Sequence, residues 1–282
     1  MVEVTLLGLA QDGGRPQPGC TRPCCAGLAP EDAAYPVALG ITDGNAHHLI
    51  EATRFLGQQL TVWDQSTIDN VLLTHAHFGH VDGLGLFGRE TMNARNVGLH
   101  TSSEMEHLID RTPQWSLMVE QGVFDAKVFH DGDCIQLSEH VIAQPIRVPH
   151  RDELSDMHAF VIRGPNRSLL FLPDHDTWEE TLARHHHETI RSWLASLNVE
   201  IALIDGTFWS NDELTGRNQD KVPHPPVSKT LEMLGSRQEH DPEIHFIHLN
   251  HTNPLYDSNS EASTRLAASG WSVAQQGQTF SL

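Results

Sequence analysis

The segment Val71-Leu72-Leu73-Thr74-His75-Ala76-His77-Phe78-Gly79-His80 constrains this chain more than any other. An apolar run of strand character ends there and releases three histidines at spacings of two and three. On extended backbone, positions two apart project to the same side, so His75 and His77 face one way. The stretch Val81–Glu90 reads as a Gly-rich entry into a helix, which leaves His80 at the bend, able to face a second ion beside the first. A strand-to-turn context is what a metal site needs. Imidazole suits zinc, iron, copper and nickel alike, so the motif asks for a metal without choosing it.

Strand-length apolar runs recur along the chain at Val4–Ala10, Val37–Thr42, His48–Ala52, Val71–Leu73, Val141–Val148, Ala159–Ile162, Leu169–Leu172, Ile201–Ile204 and Ile244–Leu249. Helical patterns fall between them at Arg54–Asp64, Ser102–Arg111, Thr177–Leu197, Ser228–Leu234 and Ser260–Ala268. Strands dominate the first half and alternate with helices in the second, which predicts two sheets covered by helices on their outer faces. Residues 211–226 are the most turn-like segment but too short for a tether, so residues 1–282 are expected to form one domain.

Composition narrows the partners. Eighteen Lys and Arg stand against 37 Asp and Glu among 282 residues, a formal net charge of -19. Such a field repels phosphate backbones and anionic lipid, so neither nucleic acid nor a membrane surface is expected to bind. The expected partner is a small-molecule substrate, with a homodimer as the candidate assembly. There are 20 histidines, which makes metal spacing worth seeking. Of the four cysteines, Cys20, Cys24 and Cys25 are clustered and Cys134 is remote, a poor disulfide framework and a better metal cluster in a reducing compartment. Cys134 reads as a plain strand residue. No basic n-region precedes an apolar stretch, and no apolar run approaches the roughly 18 residues of a membrane span, so a cytoplasmic protein is expected. The run His185-His186-His187 reads as solvated surface, because consecutive helical residues do not share a face.

The His75–His80 stretch resembles the H-x-H-x-D-H signature of the metallo-β-lactamase superfamily, with Gly79 standing where the Asp usually stands. Other segments resemble its further motifs in order: Leu49-Ile50-Glu51-Ala52-Thr53, with Glu51 in place of an Asp, then His150, Asp174 and His248, each ending a strand. The resemblance covers residues 49–251 and implies an α/β (α+β) four-layer αββα sandwich, with loops converging on the site. It implies one metal at His75, His77 and His150, bridged through Asp174 to a second at His80 and His248. Asp12, in the Gln11-Asp12-Gly13-Gly14 loop, is a candidate to compensate for the carboxylate missing at Gly79.

Within the superfamily, Ala10–Gln17 with Cys20 and Cys24-Cys25, Val148–Glu153, Pro173–Trp178 and His248–Pro254 resemble proteins related to the B protein of pyrroloquinoline quinone (PQQ) biosynthesis. The biosynthetic proteins tend to have a degraded H-x-H motif, whereas this chain keeps both histidines, which favours retained hydrolase chemistry. Ile204–Phe208 followed by Pro223-His224-Pro225 resembles paired motifs of transfer-RNA 3′-processing nucleases and a cyclic-phosphate phosphodiesterase. That likeness makes His224 the proton donor to the leaving oxygen and Asp205 its orienting acid. A His near neutrality with a carboxylate partner suits general acid work on physical grounds too. The same phosphodiesterase implies a structural zinc on Cys20, Cys24, Cys25 and His251. His158 and His175 are candidates to line the pocket.

The expected activity is metal-dependent hydrolysis of a small phosphodiester or ester, by a hydroxide generated on one or two zinc ions, with manganese or iron as alternatives. Two readings stay open beside it: a PQQ-type oxidative enzyme using iron to hydroxylate a tyrosine-derived substrate, and a non-catalytic metal-binding relative.

Overall fold

A computed structural model describes residues 1–214, 219 and 222–282. Its described residues contain two sheets of seven strands each. The first contains β1 (Val2–Gly8), β2 (Ala38–Asp43), β3 (Ala46–Ile50), β4 (Asn70–Leu72), β5 (Val97–Ser102) and β6 (Phe124–Phe129). The second contains β7 (Ile135–Gln136), β8 (Ile142–Val148), β9 (Met157–Arg163), β10 (Ser168–Leu172), β11 (Ile201–Asp205), β12 (Glu243–Ile247) and β13 (Ser272–Val273). A last strand, β14 (Thr279–Ser281), returns to pair with β1. The helices are α1 (Leu56–Trp63), α2 (Phe78–Val81), α3 (Ser103–Arg111), α4 (Pro113–Glu120), α5 (Trp178–Arg184), α6 (Ile190–Leu197), α7 (Val227–Leu234) and α8 (Glu261–Ala268).

Burial explains the layers. Val4, Leu6, Leu39 and Ile41 of the first sheet share one buried cluster with Phe160, Phe171, Leu203 and Phe246 of the second. The opposite face of the first sheet, with Leu7, Leu49, Val71 and Leu99, packs on Leu56, Trp63, Met105 and Ile109 of α1 and α3. Trp178, Trp193 and Leu231, from α5, α6 and α7, join the second sheet's cluster. Strands β10 and β11 pair in parallel and are buried throughout, which is why they read as unbroken apolar runs. The αββα sandwich expected from the sequence is the observed fold.

Strands β3 to β6 are parallel to one another, as are β10 to β13. In open α/β sheets, ligand sites form beyond the carboxyl ends of such strands. Glu51, His75, Asp174 and His248 follow β3, β4, β10 and β12 at that end.

Several local expectations need correction. Thr177–Leu197 is not one helix, because Thr189 starts a second one with a capping box to Ser192 and His186 takes a left-handed backbone at φ 59°. His185 is accordingly not plain surface: its Nε2 lies 3.0 Å from the Arg147 carbonyl and its ring stacks on Trp193. Val81–Glu90 forms no regular helix beyond the single turn of α2 and a 3-10 turn, Leu84–Phe87. Gly83 lies so close to strand-end backbone that a Cβ there would sit 2.0 Å from the Thr53 carbonyl oxygen. Cys134 is exposed and precedes β7 rather than lying in a strand. Of the turn-like residues 211–226, positions 215–218, 220 and 221 lie outside the described residues. Among the described residues, no helix is long and apolar enough to cross a membrane.

Candidate metal centre

Six expected ligands meet at the carboxyl edge of the two sheets. His75 rests its Nδ1 on the Thr74 hydroxyl at 2.9 Å, which leaves its Nε2 facing His77 Nδ1 at 2.8 Å. His150, released by β8 and Pro149, lies ring to ring with His75 at 5.2 Å and with His77 at 5.0 Å. Its Nδ1 is 3.0 Å from Asp176 Oδ1, while its Nε2 is buried without a hydrogen-bond partner. One ligand atom from each of His75, His77 and His150 falls within 4.8 Å of the others.

Asp174 stands between this triad and a second cluster. Its Oδ1 is 3.9 Å from His150 Nε2 and 3.5 Å from His248 Nδ1, and its Oδ2 is 3.4 Å from His80 Nε2. His80 Nδ1 lies 3.1 Å from Glu51 Oε1, and the Thr74 hydroxyl donates to the same carboxylate. His248 Nδ1 lies 2.8 Å from the Thr207 hydroxyl. Asp12 brings its Oδ1 to 3.4 Å from both His80 Nε2 and His248 Nε2. Glu51 and His248 hold left-handed backbone at φ 72° and 61°, a conformation that costs non-glycine residues energy and collects at functional sites.

The electrostatics fit a cation. Burial pulls the pKa of His75 well below its ordinary value, and the neighbouring imidazoles add to this. His77 is drawn down to about 4, again chiefly by burial. Neutral imidazoles are the metal-binding form. Burial works the same way on His80, but Glu51, Asp174 and Asp12 outweigh it and raise its pKa well above normal. Buried carboxylates must be paired or must coordinate metal. Among the buried side-chain atoms without a hydrogen-bond partner, His150 Nε2, His80 Nε2 and Asp174 Oδ2 belong to this cluster.

Beside the ligands, His224 Nδ1 lies 2.7 Å from Asp205 Oδ2. The Thr207 hydroxyl donates to Asp205 Oδ1 at 2.7 Å and the His175 amide to Oδ2 at 3.3 Å. The His224 ring is 5.4 Å from that of His150 and 5.7 Å from that of His248. Burial opposes charge on His224, yet Asp205 overrides it and the pKa is raised. Burial also opposes charge on Asp205, and His224 more than offsets it, so its pKa is lowered. His175 is buried behind this pair, with burial holding its pKa near about 4. His158 packs on Phe129 and joins none of the ligand clusters among the described residues.

A separate cluster brings Cys20, Cys24, Cys25 and His251 together. The sulfurs of Cys20 and Cys24 are 3.9 Å apart, and His251 Nδ1 lies 3.5 Å from Cys24 Sγ and 3.3 Å from Cys25 Sγ. Bond lengths around tetrahedral zinc place ligand atoms about 3.5–3.8 Å apart, so these residues fit such an ion. The sequence reading missed the groups that orient the rings: Asp176, Thr74, Thr207, and the pair Arg151 and Glu153, each 3.5 Å from His77 Nε2. Their one sequence signal is position, within three residues of an expected ligand or of Asp205.

The β-lactamase superfamily domain family matches residues 45–249. Coenzyme PQQ synthesis protein B of Xanthomonas campestris pv. campestris (strain B100) is 27% identical over 314 aligned residues, spanning 100% of both proteins. Zn(2+)-bound PqqB from Methylobacterium extorquens superposes with a TM-score of 0.78 at 19% identity, covering 99% of this chain and 100% of that one. A diphosphatase of the PhnP family gives 0.69 at 18% identity over 99% and 96%, and the short form of human tRNase Z gives 0.57 at 12% over 99% and 98%. With the expected residues gathered beyond the strand ends and the family matched over residues 45–249, the chain belongs to the metallo-β-lactamase superfamily.

Proposed function

We propose that the chain is a metal-dependent hydrolase of a small phosphodiester or ester, with His224 as general acid. The observation that carries this reading is the buried Asp205–His224 pair, 2.7 Å apart and one ring's distance from His150. A scaffold that only stored metal would have no use for a carboxylate-paired imidazole held beside the ligands. In this reading His75, His77 and His150 would hold one ion, and His80 and His248 with Asp174 would hold a second, zinc or manganese in either place. Ions there would supply Lewis acidity and lower the pKa of bound water. The protein's own part is orientation and proton transfer. Asp205 accepts from His224 Nδ1 and so fixes the tautomer that leaves Nε2 to protonate the departing oxygen. Thr207 holds Asp205 in place. Cys20, Cys24, Cys25 and His251 hold a structural zinc.

Metal-loaded protein is expected to cleave bis(p-nitrophenyl) phosphate, and His77→Ala to abolish cleavage. His224→Ala should cost about 10²–10⁴ in kcat on alkyl leaving groups and far less on p-nitrophenolate, which departs without a proton. Equal losses on both would reject the general-acid role. A second reading, an iron-dependent oxidative step of the PQQ-synthesis type, is supported by similarity across the whole length of the Xanthomonas protein. Iron after anaerobic purification, with oxygen uptake and no hydrolysis, would establish it instead.

A further inference from the structure

We infer that Asp12 is a ligand of the second metal, delivered by the N-terminal loop to replace the carboxylate missing at Gly79. This deepens the proposed reading of the centre and rests on it. A Cβ built on Gly79 would lie 2.4 Å from Asp12 Cγ and 2.5 Å from its Cα and Cβ. The space that a side chain at position 79 would enter is therefore filled by Asp12. Glycine at 79 is what permits this approach.

The distances match a shared ion. Asp12 Oδ1 lies 3.4 Å from His80 Nε2 and 3.4 Å from His248 Nε2, and His80 Nε2 lies 3.4 Å from Asp174 Oδ2. Metal bonds of about 2.1 Å in tetrahedral array put neighbouring ligand atoms about 3.4 Å apart. Both imidazoles present Nε2 because Nδ1 faces Glu51 in one and Thr207 in the other. His80 Nε2 is buried and makes no hydrogen bond, although two carboxylates face it. That is the arrangement expected of a nitrogen awaiting a metal.

The loop is tied where it must be. The Leu249 amide donates to the Leu9 carbonyl at 2.9 Å, and the Gln11 amide donates to the Leu249 carbonyl at 2.9 Å. The residue before Asp12 is thus clamped to the residue after His248. A turn closed by the Gly14 amide on the Gln11 carbonyl, 2.7 Å, aims Asp12 inward. The outer side of Asp12 borders a cavity of about 630 Å³ that also reaches Arg22, Arg54 and Phe208.

The test counts ions on the full-length protein. Metal-depleted wild type, Asp12→Asn and Asp12→Ala are titrated with Mn²⁺ and Zn²⁺, and bound metal is measured calorimetrically and by elemental analysis. Wild type is expected to bind one ion more per chain than either variant, or to hold the second ion at least about 10-fold more tightly. The first site and the cysteine site should be unchanged. The near-isosteric Asn variant, with an unaltered circular dichroism spectrum, separates ligand loss from misfolding. Equal ion counts and affinities in wild type and both variants would overturn the inference, as would a wild type lacking the extra ion. The result is separable from the proposed activity: persistent hydrolysis by His77→Ala defeats the enzyme reading and leaves the Asp12 count standing, whereas equal counts with His77→Ala inactive defeat only Asp12.

Discussion

His75, His80, His150, His224 and His248 each rest a ring Nδ1 against an oxygen, from Thr74, Glu51, Asp176, Asp205 and Thr207 respectively. Such outer contacts fix ring orientation and tautomer, and their loss typically costs 10–100-fold in metal affinity. Asp176→Asn is therefore expected to weaken metal binding at the site proposed on His75, His77 and His150 by about that factor, read by calorimetric titration, with secondary structure unaltered. His224 sets a pH prediction. Its folded pKa is raised, chiefly against burial and by Asp205, so its proton persists past the ordinary imidazole range of about 6.5. The stability contributed by the pair is complete below that range and lost as pH rises through the raised value. With His224 as the general acid proposed above, kcat should fall on the alkaline side over the same interval, and His224→Gln should flatten that limb while lowering the plateau. His75, His150, Asp174 and His248 could be picked out as candidate ligands because each closely follows a strand of plain apolar pattern. Their orienting partners were harder to read: Glu51 meets His80, and Asp176 meets His150, only when separate strands come side by side.

At the scale of elements, buried strands of one composition could be read directly, whereas edges and interruptions could not. Strand β6, Phe-Asp-Ala-Lys-Val-Phe, lies at the end of its sheet and keeps only its terminal phenylalanines buried, so its polar middle hides the pattern. Strand β14 has three residues and is defined by pairing with β1, not by its own composition. The α5–α6 break shows the opposite failure, where continuous helical periodicity conceals a stop. Thr189 is the residue that decides it, accepting from the Ser192 amide at 3.1 Å. Thr189→Ala is expected to cost about 1 kcal/mol in chemical denaturation, within the usual range for a lost N-cap. Gly40 makes a sharper test of packing, since a Cβ there would stand 2.4 Å from the Trp63 ring. Gly40→Ala should destabilise by about 1–3 kcal/mol as α1 is pushed off the first sheet.

For the molecule as a whole, 37 acidic against 18 basic residues make the compact state repel itself. Raising salt toward 0.15 M shortens the screening length to about 8 Å, so Tm should climb between dilute buffer and that ionic strength. One strip of main chain connects the two candidate metal clusters. His248 faces the histidine–carboxylate cluster, His251 faces the three cysteines, and Leu249 between them is pinned to Leu9 and Gln11. The loop that begins at Asp12 ends among those same cysteines. An ion seated among the thiols would therefore steady both segments that border the neighbouring cluster. By reciprocity, whatever factor of affinity one occupant confers on the other must be returned in full, whichever arrives first.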